Sequence, residues 1–341
     1  MVRAVLTPPR ASIVLPVRDA ADTLRECLAS IAVQTESALE CVVVDDGSRD
    51  ASPMLASEFA RADPRFRVVA MEHGGVARAT NRGLAETRAP VLLRMDADDR
   101  MHPERVAAQL AALAADASLD VVGTHVRYFP REALGPGIRA YEAWLNGIVS
   151  PRDVREAAFV ECPLANPTLA WRRERLPVAP YRADLPWPED YDLVLRLLQS
   201  GKRLAVVPRV LHAWRRHPLG LTSTDPAYAD ERFIACKAHY LAAGFLARHP
   251  RYHLWGYGRT GRLLAKALRA HDRKPASIVE LHPGRIGHTI QGAAVVPPAR
   301  LGPPRGVPLL VCVAGREPRR LIRQELERMG WRVLVDAVFA A

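Results

Sequence analysis

Three carboxylates lie within four residues at Asp96-Ala97-Asp98-Asp99, directly after the short apolar run Val91-Leu92-Leu93. A short apolar run predicts a buried strand, and the carboxyl end of such a strand is where open α/β sheets bind ligands. Carboxylates this close repel one another unless a cation neutralises them, and Mg²⁺ or Mn²⁺ prefers such oxygen ligands. We therefore interpret the cluster as a metal site that also holds a substrate diphosphate. The alternative is an Asp-rich turn before the helix that starts near Pro103.

Polar motifs also follow the three preceding predicted strands. They are Pro16-Val17-Arg18-Asp19, Asp45-Asp46-Gly47-Ser48 and His73-Gly74-Gly75-Val76-Ala77-Arg78. Because the carboxyl ends of parallel strands meet at one sheet edge, we expect these motifs to converge with the carboxylate cluster. A carboxylate such as Asp46 can accept hydrogen bonds from a base or a ribose, and an arginine such as Arg78 can offset diphosphate charge. Taken singly, Asp46 also fits an ordinary turn and Arg78 a solvated helix face.

Strands and helices alternate through the first part of the chain. The predicted strands are 12–17, 41–44, 66–69, 91–93 and 120–123, and the predicted helices are 23–33, 54–61, 75–86 and 106–115. This alternation predicts an α/β fold with a doubly wound, mostly parallel sheet. The middle is less regular: 163–172 and 177–188 are predicted as loops, 190–198 as a helix, and 205–207 and 210–214 as two strands.

The pattern restarts after a charged, partly helical segment that runs from Asp225 to about Arg248. Gly256-x-Gly258-x-x-Gly261 lies between a predicted strand and a predicted helix, and Glu280 ends the next strand. This arrangement is typical of dinucleotide binding, although about 90 residues supply only half of such a fold. We predict a small Rossmann-like domain that binds a nucleotide or a partner, with a purely structural role as the alternative. The predicted domains are 1–225 and 251–341, joined by a linker at 226–250.

Charge and composition limit the classes of partner. The formal net charge is +11, and all but four of the 48 basic residues are arginine. These arginines are scattered and have few aromatic neighbours, so a nucleic acid is not the expected partner, whereas a sugar nucleotide, a lipid phosphate or a membrane surface is compatible. The five cysteines form no CxxC pair, which argues against a zinc site or a disulfide framework. Residues Met1–Arg10 lack the apolar core of a signal peptide, and no apolar stretch reaches membrane-spanning length. We therefore expect a cytoplasmic protein that can associate with the inner membrane face.

The motifs of the first domain together resemble those of a known family. They are Ser12-Ile13-Val14-Leu15-Pro16, Val42-Val43-Val44-Asp45-Asp46-Gly47-Ser48, Gly74 to Gly83, and Met95-Asp96-Ala97-Asp98-Asp99. Their order and spacing resemble the motif series of family 2 glycosyltransferases over residues 10–220. The resemblance implies the GT-A fold and an inverting transfer from a nucleotide-diphosphate sugar to an acceptor hydroxyl. It also implies Mg²⁺ or Mn²⁺ as cofactor and a glycan or a lipid-linked molecule as acceptor, in the synthesis of a surface polysaccharide or glycolipid.

The resemblance also implies how this chain binds its donor. Asp46 would contact the nucleotide base, and Pro16 and Arg18 would line the base pocket. Arg78 would lie near the base or the diphosphate, and Asp96 would touch the ribose or the metal. The implied metal ligands are Asp98, with Asp99 and His217 as further candidates.

The acid pair Glu189-Asp190 is the candidate for the proton transfer that an inverting displacement requires. The pair opens a predicted helix, where the N-terminal dipole stabilises anions; ordinary charge complementarity at the helix end is the alternative. Similarity to the family's Glu-Asp motif implies that Asp190 is the general base, with Glu189 as its neighbour or an acceptor contact. The segment Trp214-Arg215-Arg216-His217 resembles a Tyr-Arg-x-His motif, which is the basis for assigning His217 to the metal or diphosphate.

The sequence leaves two other functions open. An NAD-linked oxidoreductase would use the C-terminal domain, but it leaves the first two-thirds of the chain unexplained. A non-catalytic sugar-nucleotide-binding protein with the same fold would not explain why Asp98 and Asp190 are both present.

Overall fold

The computed structural model of the chain describes residues 8–217 and 226–341, so the predicted start of the charged segment at Asp225 lies outside the described residues. The chain divides into two compact units. The first unit comprises residues 1–154, 164–185 and 200–223, and the second comprises 155–163, 186–199 and 224–341. Two short internal segments thus group with the C-terminal part of the chain. The sequence-based domain limits stay a prediction.

The first unit contains an eight-stranded sheet. Its strands are β1 (Ala11–Val17), β2 (Leu39–Asp46), β3 (Phe66–Met71), β4 (Val91–Arg94), β5 (Arg100–Met101), β6 (Val121–Phe129), β7 (Ala170–Arg172) and β8 (Leu204–Arg215). Their order is β3-β2-β1-β4-β7-β6-β8-β5. Strands β3, β2, β1 and β4 are parallel, as are β6 and β8, whereas β7 and β5 are antiparallel to their neighbours. The mostly parallel α/β fold predicted from the sequence is confirmed.

Helices cover this sheet. They are α1 (Ala21–Ala32), α2 (Ser52–Ala62), α3 (Val76–Glu86), α4 (Arg105–Ala115) and α5 (Pro136–Leu145). The next helix, α6 (Pro151–Ala157), begins in the first unit and ends in residues that belong to the second. Every residue of β1 and β2 is buried, as expected for strands covered on both faces. Ile13 and Leu15 of β1 pack with Leu28 and Ile31 of α1 in the main apolar core. The four leading strands therefore form a rigid base for the loops at their carboxyl ends.

Two elements differ from the sequence-based prediction. Strand β7 lies within a segment predicted as a loop, because three residues are too few to produce a recognisable alternating pattern. Strand β8 is continuous where two strands are predicted. Pro208, which suggests a break, lies in a bulge where the pairing of β8 with β6 shifts register after Val207. A proline is tolerated there because its missing N–H is not needed for pairing.

The second unit contains a six-stranded sheet. Its strands are β9 (Arg251–Trp255), β10 (Lys274–Val279), β11 (Thr289–Ile290), β12 (Ala293–Val296), β13 (Leu309–Val311) and β14 (Ala337–Phe339). Its helices are α7 (Glu189–Gln199), α8 (Asp230–Ala243), α9 (Arg259–Arg269) and α10 (Arg316–Arg328). The strand order is β11-β12-β10-β9-β13-β14, and all strands except the edge strand β11 are parallel. In chain order the parallel strands run 3-2-1-4-5, an order that doubly wound dinucleotide-binding folds also have.

The five cysteines are buried free thiols. Among the described helices, none combines the length and the apolar character that a membrane crossing requires.

Candidate donor and metal site

The carboxylate cluster begins where β4 ends. Asp96 forms an ion pair with the buried side chain of Arg94. Asp98 is largely buried, and within residues 8–217 and 226–341 no other side chain hydrogen-bonds or ion-pairs with its carboxylate. Burial and the neighbouring charges of Asp99 and Asp96 raise the pKa of Asp98 to about 7. The Asp98 carboxylate is therefore costly to ionise unless a cation is bound beside it.

Asp99 has a different environment from Asp98. It is buried, and both of its oxygens have partners on β8. Oδ1 accepts a hydrogen bond from the backbone N–H of Arg215 at 2.6 Å, and Oδ2 lies 2.8 Å from Nε2 of His212. Burial and the charge of Asp96 raise the pKa of Asp99. These contacts favour Asp98 over Asp99 as the direct metal ligand.

The donor set fits a metal that is bound together with a diphosphate. In the described part of the chain, no three His, Cys, Asp or Glu side chains come together as a preformed metal site. Mg²⁺ is commonly held by only one or two carboxylates, with substrate phosphates and water supplying the remaining ligands. Asp98 and Asp96, two residues before it, provide two carboxylates of this kind, which are hard oxygen ligands. The pKa of Asp98 is raised by burial and by repulsion from Asp99 and Asp96, and a bound cation would offset both.

Asp46, the last residue of β2, fixes the turn before α3. Its carboxylate accepts hydrogen bonds from the backbone N–H groups of Gly74 at 2.7 Å and Gly75 at 3.0 Å, and it lies 2.9 Å from Nδ1 of His73. At Gly47, φ is +70° and a Cβ atom would approach the His73 nitrogen to 3.0 Å, so this close approach requires glycine. The structure thus brings the second and third motifs together. The contact of Asp46 with a base stays a prediction.

The loop after β1 is tied to the loop after β2. The backbone N–H of Asp19 donates to the Ser48 hydroxyl at 3.1 Å, and the Asp19 carboxylate accepts from the Arg49 N–H at 2.7 Å. Pro16 is buried in β1, whereas Arg18 is exposed and its Nε lies 3.7 Å from the Asp19 carboxylate. The Arg18 guanidinium can therefore reach a ligand at this edge of the sheet.

Arg78 lies in the first turn of α3 and is exposed. Its guanidinium donates to the carboxylate of Asp184 at 2.8 Å, also at the surface. An exposed pair of this kind contributes little to stability, so an anionic ligand can compete for Arg78. Its contact with a base or diphosphate stays a prediction.

The acid pair opens α7 in the second unit. Glu189 accepts hydrogen bonds from the Tyr228 hydroxyl at 2.8 and 3.0 Å. Asp190 is half-buried, and one of its oxygens accepts the N–H of Tyr191 at 2.7 Å. The helix start and both side chains occur where the sequence predicts them, whereas the assignment of Asp190 as a base stays a prediction.

Asp192, two residues further on, is a structural acid that the sequence analysis does not single out. It is fully buried and accepts hydrogen bonds from the Tyr240 hydroxyl at 2.6 Å and from the indole N–H of Trp187 at 3.2 Å. The Trp187 ring lies 5.3 Å from the His239 ring. Trp187 therefore takes part in packing within the second unit.

The glycine turn between β9 and α9 is built for close backbone packing. Gly256 has φ +94°, and a Cβ at Gly261 would lie 2.2 Å from the Gly256 carbonyl oxygen. A Cβ at Gly258 would meet nothing within 4 Å. Glu280 follows β10 as predicted, but its carboxylate is paired with Arg285 at 3.1 Å. A ligand that used Glu280 would have to displace this arginine.

His217 is exposed and is the last described residue before the gap at 218–225. Its contact with metal or diphosphate stays a prediction.

Four further residues around the carboxylate cluster are missed by sequence reasoning. They are Arg94, Arg105, His212 and Arg215. Two signals could have found part of this set: Arg105 directly precedes the predicted helix 106–115 and is four residues before Gln109, and His212 interrupts an otherwise apolar predicted strand.

Comparisons with known proteins match the first part of the chain to one family. Residues 12–171 match the family model of glycosyl transferase family 2. The putative glycosyltransferase EpsH of Bacillus subtilis is 35% identical over 28% of this chain and 28% of its own length. The succinoglycan biosynthesis protein ExoU of Rhizobium meliloti is 30% identical over 59% of this chain and 60% of its own length. The alignments thus span less than two thirds of the length of these relatives.

The fold has a solved counterpart. The crystal structure of S. aureus TarS in complex with UDP-GlcNAc superimposes with a TM-score of 0.54 at 19% identity, covering 77% of this chain and 72% of that one. The fold is therefore the GT-A fold that the sequence predicts. Residues 12–171 thus form a family 2 glycosyltransferase domain, which is the domain of a transferase enzyme.

Proposed function

We propose that this protein is an inverting, metal-dependent glycosyltransferase that transfers a sugar from a nucleotide-diphosphate sugar to an acceptor hydroxyl. The relative ExoU is named for succinoglycan biosynthesis, which supports a role in making a cell-surface polysaccharide or glycolipid. TarS was crystallised with UDP-GlcNAc, which supports a nucleotide-sugar donor. We further propose a glycan or lipid-linked acceptor and a cytoplasmic location, with access to the inner membrane face.

The observation that carries this proposal is the environment of the Asp98 carboxylate. Asp98 is a largely buried carboxylate with a pKa raised to about 7, beside two further carboxylates at the end of a central strand. Such an arrangement is unfavourable in itself, and it supports a site that is completed by a cation and the diphosphate of the donor.

Each group has a defined task in the proposed reaction. Asp98, assisted by Asp96, holds the Mg²⁺ or Mn²⁺, and Asp46 and Arg18 hold the nucleotide. When bound, the metal supplies Lewis-acid stabilisation of the negative charge on the leaving diphosphate. The acceptor oxygen bonds to the anomeric carbon on the face opposite the diphosphate, whose C–O bond breaks. Asp190 takes the acceptor hydroxyl proton as this bond forms.

For the second unit, we propose as a secondary function that the glycine turn contacts a nucleotide. The strand order and the packing of Gly256 against Gly261 support it. The pairing of Glu280 with Arg285 is equally compatible with a purely structural unit.

The test is a thermal-shift screen of UDP-, GDP- and dTDP-sugars and of NAD(H), each with and without Mn²⁺. The proposal expects stabilisation by at least one nucleotide-sugar that increases with Mn²⁺. A shift with NAD(H) alone would favour the oxidoreductase alternative and contradict the proposal.

A further inference from the structure

A fully buried arginine lies beside the carboxylate cluster without a carboxylate partner. Arg105, the first residue of α4, has no exposed surface, and within the described residues none of the Asp or Glu side chains forms a direct ion pair with it. Its Nη1 donates to Nδ1 of His212 at 3.0 Å and contacts the Met95 sulfur at 3.4 Å. Its Nη2 donates to the carbonyl oxygens of Arg94 at 2.8 Å and Pro167 at 2.6 Å. Hydrogen bonds connect Arg105 to the carboxylate of Asp99 through His212.

Gln109 fixes the orientation of Arg105 one turn along α4. The Gln109 carbonyl oxygen accepts from Arg105 Nε at 3.1 Å, and its amide nitrogen donates to the backbone of Val122 at 3.0 Å and Thr168 at 2.7 Å. With this contact, all five N–H donors of the guanidinium have acceptors. The guanidinium can therefore occupy only one position.

The chemistry of arginine then determines the proton position on His212. A guanidinium can only donate, so Nδ1 of His212 must accept and Nε2 must carry the proton. The Nε2–H group donates to Oδ2 of Asp99 at 2.8 Å. His212 is 1% exposed, and burial together with the charge of Arg105 lowers its pKa, so the imidazole is neutral. The resulting chain of contacts is Arg105 to His212 to Asp99.

The same segment of β8 holds the carboxylate loop at two more points. The Arg215 N–H donates to Oδ1 of Asp99 at 2.6 Å, and Arg215 Nε donates to the Asp98 carbonyl oxygen at 2.6 Å. The antiparallel pairing of β5 with β8 sets Met101 opposite His212, which fixes this alignment. The backbone of the loop and the side chain of Asp99 are thus held, while the Asp98 carboxylate is left for a ligand.

We propose that Arg105 and His212 are positioning residues that, through Asp99, hold the Asp98 carboxylate in the orientation that binds metal and diphosphate. This inference rests on the proposed function, because it assigns a task to residues that do not touch the substrate. Groups that orient metal ligands through hydrogen bonds typically contribute 10–100-fold to metal affinity.

The test compares two polar replacements of His212. In His212→Gln the longer amide reaches the Nε2 position and still donates to Asp99. In His212→Asn the amide reaches only the Nδ1 position, so it still accepts from Arg105 but leaves Oδ2 of Asp99 without its donor. His125, a half-buried histidine on β6 whose ring contacts the Ile148 carbonyl at 3.4 Å, supplies the matched controls His125→Gln and His125→Asn.

Mn²⁺ binding is measured by electron paramagnetic resonance. Each measurement contains whichever of UDP, GDP or dTDP binds the wild-type protein most tightly. We expect His212→Asn to weaken Mn²⁺ binding about 10–100-fold, whereas His212→Gln and both His125 variants stay within about threefold of wild type. Circular dichroism confirms that each variant is folded. If His212→Asn is unfolded, Arg105→Lys is measured instead, because a lysine cannot supply the five donors of the guanidinium, and the same loss is expected.

The outcomes separate the two claims. If the wild-type protein binds Mn²⁺ and the folded His212→Asn and His212→Gln variants bind it with equal affinity, the positioning role is overturned and the proposed function is not. A wild-type protein that binds no Mn²⁺ with any of the three nucleotides would overturn the proposed function, and this inference with it.

Discussion

Replacing Asp98 with Asn should stabilise the metal-free protein at pH 8. Burial and neighbouring carboxylates raise the Asp98 pKa from 3.8 to about 7. A shift of this size means that ionising Asp98 costs about 4 kcal/mol more in the folded protein than in the unfolded chain. Partial solvent exposure screens this cost, so we expect Asp98→Asn to raise the free energy of unfolding by about 2 kcal/mol. For a domain of 150–250 residues this is a rise of about 6 °C in Tm.

The pH dependence follows from the sign of the pKa change. Between pH 4 and pH 7 the folded protein keeps a proton on Asp98 that the unfolded chain releases, so wild-type stability falls as the pH rises through this window. The advantage of Asp98→Asn should therefore be full at pH 8, smaller at pH 5 and absent at pH 4. Adding Mn²⁺ with a bound nucleotide should stabilise the wild type and reverse the order.

The assay is thermal unfolding in EDTA and in Mn²⁺ with nucleotide, at each pH. Asp22→Asn, which neutralises an exposed acid in the first turn of α1, is the matched control and should change stability by no more than about 1 kcal/mol, in the destabilising direction. The reasoning is refuted if Asp98→Asn is no more stable than wild type at pH 8 in EDTA, or if Mn²⁺ stabilises both proteins equally.

Three further predictions concern catalysis, protonation and packing. Asp190→Asn should lower the transfer rate at least 100-fold in a radiolabelled-sugar assay while leaving donor binding by calorimetry within threefold; weakened donor binding to the same degree would contradict its role as base. Mn²⁺ affinity in the presence of nucleotide should rise about fivefold as the pH rises from 6 to 7, because Mn²⁺ competes with the proton on Asp98 and the ionised fraction of this carboxyl grows by that factor; an affinity independent of pH would exclude Asp98 as a metal ligand. Gly83→Ala should lower the free energy of unfolding in urea by about 1–3 kcal/mol, since the new methyl group would lie 2.5 and 2.8 Å from two buried valine side chains. Gly137→Ala, a helical site with open space, is the control and should be neutral or stabilising.

Much of the first unit could be predicted because its signals are local. Strands β1 to β4 are short apolar runs separated by helices with clear apolar spacing, so their existence and their parallel arrangement follow from the sequence. The parallel arrangement in turn places Asp46 and Asp98 at the same sheet edge. Those two positions could therefore be selected without a structure.

The residues that hold the carboxylate loop in place could not be predicted, because they depend on contacts between distant parts of the chain. His212 and Asp99 are 113 residues apart and meet only because the two-residue strand β5 pairs with β8. Arg105 looks like an ordinary charged residue at a helix start, yet it is fully buried. The grouping of α7 with the C-terminal part of the chain likewise has no local signal, which is why Asp190 is assigned to the first domain in the sequence-based division.

The central claim is that Asp98 binds a divalent metal together with the donor diphosphate. The most direct measurement is anomalous diffraction at the manganese edge from crystals grown with Mn²⁺ and a bound nucleotide diphosphate. We expect one manganese peak within coordination distance of an Asp98 carboxylate oxygen, with the diphosphate of the nucleotide beside it. A manganese peak away from Asp98, or a nucleotide diphosphate bound at the carboxyl ends of β1 and β2 with no metal beside that residue, would contradict the account.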